Sequence, residues 1–234
     1  LWYAAILFSF QIYCDFSGYS DIAIGVAKLF GFKLSKNFSF PYFSENLVEF
    51  WSRWHISLTS WFRDYVYIPL GGNRNGQIKR LRNVFVVFLV SGLWHGANWT
   101  FVFWGVLNSL IYITWDITLS LRFSPSKISV ALARPFLLIS NFLVVTTLWV
   151  FFRAESINSA MSYLVRMYSV SKFESSGLHN SELSVIILFL LALEWYNRDV
   201  SFGLDIGHWS RIHRHLTYIV VVLIMFCFAI YGHH

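Results

Sequence analysis

The sequence contains one long apolar stretch, Val84–Trp115, in which no Asp, Glu, Lys or Arg occurs. One helical membrane span needs about 20 apolar residues, so this stretch is long enough to cross a bilayer. The composition agrees, because 56% of the 234 residues are hydrophobic and only 13% are charged, against about 25% charged residues in soluble domains. A soluble domain of this composition would lack the polar surface to cover its core. We therefore predict an all-α protein, a polytopic membrane helical bundle.

Six apolar stretches in the sequence are candidates for entering the membrane. They are Leu1–Cys14, Phe16–Phe32, Val84–Trp115, Phe136–Phe152, Val185–Trp195 and Leu216–Tyr231. The chain starts inside the first of these stretches, without an initiator Met or the basic flank of a signal peptide. We therefore expect residues 1–234 to be a C-terminal fragment, one part of a single membrane domain.

A basic polar segment, residues 33–82, separates the second and third apolar stretches. It carries eight Lys or Arg residues against three Asp or Glu residues, a net charge of +5 out of the chain's +6. The positive-inside rule predicts that much of this segment lies at the cytoplasmic face of the membrane. Because the charge is concentrated beside membrane spans, membrane lipid is the expected partner, and nucleic-acid binding is not expected.

Within the basic segment, an amphipathic helix is predicted to start at Asn46. Asn can cap a helix, and Glu49 follows three residues later, which is the spacing of a capping box. Aromatic and apolar side chains then recur at helical spacing, together with one histidine: Trp51, Trp54, His55, Leu58, Trp61 and Phe62. Trp is favoured where membrane meets water. We therefore predict one interfacial helix that lies on the bilayer, followed by a loop over 69–76.

The long uncharged stretch contains His95, an ionisable residue at membrane depth. Such residues usually face a bundle interior or a water-filled cavity. On one continuous helix, Ser91, His95 and Asn98 would form a polar stripe, and Gly92 would let another backbone approach closely. A neutral imidazole can act as a general base, but it can equally form a helix–helix hydrogen bond or relay protons in transport. The residues alone leave these three roles open.

No pattern in the sequence indicates a metal site. The spacings HExxH and CxxC are absent. His208, His213 and His215 lie among arginines just before the last apolar stretch, where a basic flank at the membrane surface explains them.

Three runs of the sequence resemble the membrane-bound O-acyltransferase family, and within it the bacterial branch that acetylates polysaccharides such as alginate. The runs are QIYCDFSGYSDIAIG (Gln11–Gly25), NFSFPYFSENLVEFWSRWHISLTSWFRDYVYIPLGGNRNG (Asn37–Gly76) and GLWHGANWTFVFWG (Gly92–Gly105). They stand in the order that the family has. The resemblance implies that His95 is the membrane-embedded catalytic histidine and that His55 is a second characteristic histidine.

The resemblance also implies a reaction and its setting. An acyl thioester donor, acetyl-CoA or an acyl carrier, would be used from the cytoplasmic side as a co-substrate, with no bound cofactor. The acceptor would be an exported polysaccharide, reached through a periplasmic or extracellular acetyltransferase partner. The location would be the bacterial inner membrane, crossed several times. Candidate donors to a tetrahedral oxyanion, chosen because they lie near His95 in sequence, are Asn98, Trp94 and Ser91.

Three other functions remain as alternatives. A transporter or channel would use Asp15, Asp21, Lys28 and His95 as a permeation path. A non-catalytic scaffold of an envelope complex would tolerate changes at both His95 and His55. Transfer of D-alanine to teichoic acid is the alternative within the same family, although the run over Gln11–Gly25 favours the polysaccharide branch.

Overall fold

The computed structural model describes residues 1–121, 127–169, 181–198, 206–207 and 209–228. Within these ranges the regular structure is helical, which confirms the all-α prediction. The helices are α1 (Trp2–Leu29), α2 (Leu47–Arg53), α3 (Ile56–Phe62), α4 (Gln77–His95), α5 (Trp99–Leu121), α6 (Lys127–Arg153), α7 (Ile157–Tyr168), α8 (Ser181–Tyr196) and α9 (Arg211–Phe228). A 3₁₀ turn over Pro41–Phe43 precedes α2, and a π-helical turn over Arg63–Tyr67 continues α3.

The helices differ from the predicted apolar stretches in two places. The first two stretches form the single helix α1, because neither Asp15 nor Gly18 interrupts its backbone hydrogen bonds. The third stretch is two helices, since α4 ends at His95 and α5 begins at Trp99. A side chain explains the new start: Asn98 Oδ1 accepts a hydrogen bond from the Thr100 backbone N–H at 3.1 Å, which caps α5.

Two helices of the described residues are long and apolar enough to cross a membrane. They lie over Trp99–Ser120 in α5 and Ala133–Arg153 in α6. The other predicted apolar stretches correspond to α1, α8 and α9, and the last stretch continues past residue 228, outside the described residues. How many of these helices span the bilayer stays a prediction.

The chain divides into two compact units. In the first, which contains α1 to α7, α4 packs against α5, and α6 packs against α1, α5 and α7. The second contains α8 and α9, and apolar side chains such as Leu188 and Val222 are exposed on it. Exposed apolar residues on a helix suit contact with lipid.

Two glycines bring α4 and α5 into backbone contact. A Cβ added at Gly92 would lie 2.4 Å from the Phe101 carbonyl oxygen, and one added at Gly105 would lie 2.4 Å from the Phe88 carbonyl oxygen. Only a residue without a side chain fits at either position, as is common where membrane helices cross closely. The last turn of α4, which carries His95, is therefore held directly against α5.

Candidate active site

The predicted interfacial helix is interrupted at His55. The structure has two short helices, α2 and α3, and His55 stands between them with φ 46° and ψ 54°. This left-handed conformation is uncommon for a residue other than glycine. The prediction of one continuous aromatic stripe from Trp51 to Phe62 is therefore wrong, although all of its members lie in or between these helices.

The extended segment before the 3₁₀ turn explains the interruption, because it satisfies the backbone groups that a continuous helix would have used. The Ile56 N–H donates to the Asn37 carbonyl oxygen at 2.9 Å, and the Ser57 N–H donates to Asn37 Oδ1 at 3.1 Å. On the other side, the Arg53 carbonyl oxygen accepts from the Ser39 N–H at 3.0 Å. Asn37 thus caps α3 from a distant point in the sequence.

The start of α2 follows the prediction more closely. Asn46 Oδ1 accepts a hydrogen bond from the Glu49 N–H at 2.8 Å, which confirms Asn46 as the helix cap. The Glu49 carboxylate accepts from the N–H of Glu45 at 2.7 Å rather than from that of Asn46. The second hydrogen bond of the predicted capping box is therefore made to the residue before the cap, Glu45, and not to Asn46 itself.

Both predicted histidines line one cavity of about 330 Å³. Side chains from α1 to α6 surround it, and most of them are aromatic or aliphatic. The residues that matter for its chemistry are Ser91, Trp94, His95, His55, Trp104 and Trp149. Helices far apart in sequence therefore build one largely apolar chamber around two imidazoles.

Aromatic rings fix the positions of both imidazoles. The His95 ring lies 5.3 Å from the Trp104 ring and 5.0 Å from the Phe152 ring, in edge-to-face geometry. The His55 ring lies 4.6 Å from the Phe16 ring, also edge to face. A preorganised, apolar setting of this kind strengthens any electrostatic interaction with a bound substrate.

Two polar atoms of cavity-lining residues are buried without a hydrogen-bond partner in the described part of the chain. They are Nδ1 of His55 and Nε1 of Trp149. Burial also lowers the pKa of His55 to about 4, because it disfavours the charged imidazolium. His55 is therefore neutral at physiological pH.

The three predicted oxyanion donors do not all line the cavity. Ser91 and Trp94 line the cavity together with the two histidines. Asn98 lies beyond the end of α4, and its amide Nδ2 donates to the Glu155 carbonyl oxygen at 2.9 Å. The predicted polar stripe of Ser91, His95 and Asn98 is wrong, because the helix stops at His95 before reaching Asn98.

Comparison with known proteins identifies the family. The profile described as "MBOAT, membrane-bound O-acyltransferase family" matches residues 1–161. The chain belongs to the membrane-bound O-acyltransferase family. Together with the apolar helices, this makes it a membrane protein.

Several curated relatives of this O-acyltransferase family member have names that describe activities. "Probable alginate O-acetylase AlgI" of Azotobacter vinelandii is 41% identical over 195 residues, which cover 83% of this chain and 38% of that protein. "Peptidoglycan O-acetyltransferase" of Helicobacter pylori is 39% identical over 170 residues, 73% of this chain and 32% of that protein. "Teichoic acid D-alanyltransferase" of Bacillus subtilis is 34% identical over 111 residues, 44% of this chain and 28% of that protein. The chain thus spans about two fifths or less of the length of these relatives.

One part of the O-acyltransferase cavity was missed by sequence reasoning. Trp149 and Phe152 come from α6, which reads in sequence as an ordinary apolar span outside the three runs that carry the family resemblance. No local signal marks Trp149, because it lies four residues before the end of the apolar span Ala133–Arg153, where Trp is common.

A second cavity of about 490 Å³ shares part of its lining with the first. Trp51, Thr59, Val87 and Phe88 belong to both linings. Arg63 and Arg80 also line the second cavity. The two cavities therefore place basic groups from the 33–82 segment next to the aromatic chamber.

Proposed function

We propose that this protein is a membrane O-acyltransferase that moves an acetyl group from a thioester donor towards hydroxyl groups of an exported cell-envelope polysaccharide. The observation that carries the proposal is the meeting of His95 and His55 in one aromatic cavity. Family membership and the names of the relatives, alginate O-acetylase and peptidoglycan O-acetyltransferase, support the same reaction class.

In the proposed reaction, His95 is the general base. Its neutral imidazole takes the proton of the acceptor hydroxyl as the oxygen attacks the carbonyl carbon of the thioester, which forms the new C–O bond. The carbonyl electron pair moves to oxygen and gives a tetrahedral oxyanion. When this intermediate collapses, the C–S bond breaks, and the thiolate takes the proton from the imidazolium. The products are the ester and the free thiol, and His95 is neutral again.

His55 is proposed as a positioning or proton-relay residue. It lines the same cavity as His95 and is neutral at physiological pH because burial lowers its pKa to about 4. Its Nδ1 is buried and has no hydrogen-bond partner in the described part of the chain, so a hydroxyl or a water that reached it would satisfy it. A neutral imidazole can both accept and donate a hydrogen bond, which a relay requires.

The second cavity supports a donor that arrives from the cytoplasmic side. Acetyl-CoA and the prosthetic group of an acyl carrier protein both bear phosphate, and Arg is well suited to bind phosphate. Arg63 and Arg80 line this cavity beside the aromatic chamber, and a phosphate would compete with the carboxylates of Asp64 and Asp116 that they pair with. Both arginines belong to the basic segment that the positive-inside rule assigns to the cytoplasm. We propose that the donor's thioester reaches His95 past the residues that line both cavities, such as Thr59 and Val87.

The acceptor is proposed to lie on the other side of a bacterial inner membrane that the protein crosses several times. Polysaccharide would receive the acetyl group there through a periplasmic or extracellular acetyltransferase. Alginate and peptidoglycan are the acceptors that the names of the more similar relatives indicate. D-alanyl transfer is the alternative within the family, because a teichoic acid D-alanyltransferase is also related over 44% of the chain.

The test is the substitution His95→Ala in the full-length chromosomal gene, with acetyl groups on envelope polysaccharides measured by mass spectrometry. Loss of a general base typically lowers the rate by about 10²–10⁴-fold, so we expect acetylation to fall to background. His213→Ala is the control, because it removes an imidazole from a different helix, α9, outside the runs that carry the family resemblance. Full acetylation in the His95→Ala strain would contradict the proposal, and a loss of polymer export with intact acetylation would favour a transporter.

A further inference from the structure

Trp149 is the least expected member of the cavity wall. It lies on α6, is only 3% exposed, and lines the cavity that contains both histidines. Its indole Nε1 is buried and has no hydrogen-bond partner in the described part of the chain. Buried Trp N–H groups usually find an acceptor, so this one calls for an explanation.

A second tryptophan in the same cavity shows the usual arrangement. The Trp51 indole N–H donates to Asn108 Oδ1 at 3.2 Å. The fold therefore uses the N–H of Trp51 for its own stability, whereas that of Trp149 is left without an acceptor. Leaving a buried donor unpaired costs free energy, and a bound group with an acceptor oxygen would recover it.

The surroundings of Trp149 connect the two histidines. Its ring lies 5.1 Å from the Trp54 ring, and Trp54 directly precedes His55. Its ring also lies 5.9 Å from Trp104 and 5.3 Å from Phe152, two of the residues whose rings contact His95. Packing on these sides holds the indole in one orientation, so it is preorganised before a substrate arrives.

We infer that the indole N–H of Trp149 binds the carbonyl oxygen of the transferred acyl group and donates to the oxyanion that forms there. This inference rests on the proposed acyl transfer. An indole N–H is a donor only and keeps its proton, so it stabilises the developing charge without taking part in the proton balance. His95 still takes the hydroxyl proton and returns it to the leaving thiolate. Trp149 is thus an oxyanion donor that lies far from His95 in the sequence.

Trp94 and Asn98 are less suited to this task. Trp94 is 59% exposed, so its ring is less enclosed than that of Trp149, and an oxyanion donor acts best when it is held in place beforehand. The Asn98 amide is already committed to the Glu155 carbonyl oxygen. Trp149 combines burial, a fixed ring and an unused N–H.

The experiment replaces Trp149 in the full-length protein with 3-benzothienylalanine, which keeps the two-ring shape but has sulfur in place of N–H. Acetyl transfer from a radiolabelled thioester is followed in membranes, and kcat and KM are determined separately. We expect kcat to fall about 10²–10³-fold, as it does when one oxyanion donor is removed, with a smaller rise in KM for the donor, because the N–H binds the neutral carbonyl oxygen more weakly than the charged oxyanion.

The same analogue at Trp2 is the matched control. Trp2 lies on α1, packs edge to face against the Tyr168 ring at 5.0 Å and does not line the cavity, so we expect kcat to stay nearly unchanged there. Wild-type kcat in the Trp149 analogue, or equal losses at both positions, would overturn the inference. If the His95→Ala protein transfers no acetyl group while the Trp149 analogue is fully active, this inference alone is overturned. If the His95→Ala protein is active, the proposed function is overturned.

Discussion

At the scale of single residues, His55 combines two constraints. Its backbone is in the left-handed region at φ 46°, and its side chain is buried enough to lower its pKa to about 4. Both features affect the free energy of unfolding, and a substitution that keeps the backbone conformation can isolate the effect of the pKa. Asn is the natural substitution for this purpose, because it tolerates the left-handed backbone and does not titrate.

The pKa of His55 predicts how stability depends on pH. The unfolded histidine titrates near pH 6.5, so between about pH 6.5 and 4 the unfolded state binds a proton that the folded state does not. The free energy of unfolding therefore falls as the pH drops through this range and levels off below about 4. We expect the melting temperature in detergent to drop more from pH 7 to pH 5 in wild type than in His55→Asn. Equal drops would contradict the low pKa of His55.

Sequence reasoning identified the histidines of the candidate site but not its full wall. His95 stands out from the sequence as an ionisable residue in an apolar run, whereas His55 lies in the basic segment and was selected through the family resemblance. Trp149 could not be selected from the sequence, because its importance depends on an unpaired N–H in a cavity that only tertiary packing creates. Asn98 was wrongly predicted to lie on the same helix face as His95, because the sequence alone does not show that α4 ends at His95.

At the scale of elements, the helix types were predictable and the breaks were not. Aromatic periodicity runs unbroken from Trp51 to Phe62, so it predicts one helix. The interruption at His55 depends on Asn37, whose backbone and side-chain oxygens both accept hydrogen bonds from the start of α3. A partner this far away in sequence leaves no mark on local periodicity.

The crossing of α4 and α5 gives a prediction at this scale. A methyl group at Gly92 or Gly105 would lie 2.4 Å from a backbone carbonyl oxygen of the opposite helix, and backbone cannot move aside as a side chain can. We expect Gly92→Ala and Gly105→Ala each to destabilise the protein by about 1–3 kcal/mol, as overpacking does. The melting temperature in detergent, followed by circular dichroism, measures the effect.

Gly25→Ala is the matched control for these substitutions. Gly25 lies in α1, and a Cβ added there meets no atom within 4 Å. Ala is favoured over Gly inside a helix by about 1 kcal/mol, so this variant is expected to melt at the same temperature or higher. A Gly105→Ala protein as stable as Gly25→Ala would show that α4 and α5 can separate freely.

At the scale of the whole molecule, charge and apolar surface are arranged around the candidate site. The segment 33–82 carries a net charge of +5, and it contributes His55, Trp51 and Arg63 to the two cavities. The apolar helices α5 and α6 supply the opposite wall with Trp104 and Trp149. The chamber therefore lies where the basic segment meets the apolar helices.

This arrangement predicts that the turn at Asn73 faces the cytoplasm. Asn73 is exposed in the turn before α4, so Asn73→Cys is a suitable reporter in a full-length protein whose Cys14 and Cys227 are replaced by Ser. A membrane-impermeant maleimide is expected to label this cysteine in inside-out vesicles and not in sealed spheroplasts, because the positive-inside rule keeps the flanking basic residues inside. Permeabilised spheroplasts, in which both faces are open, are the control. Labelling of sealed spheroplasts would place the basic segment outside and remove the proposed cytoplasmic route for the thioester donor.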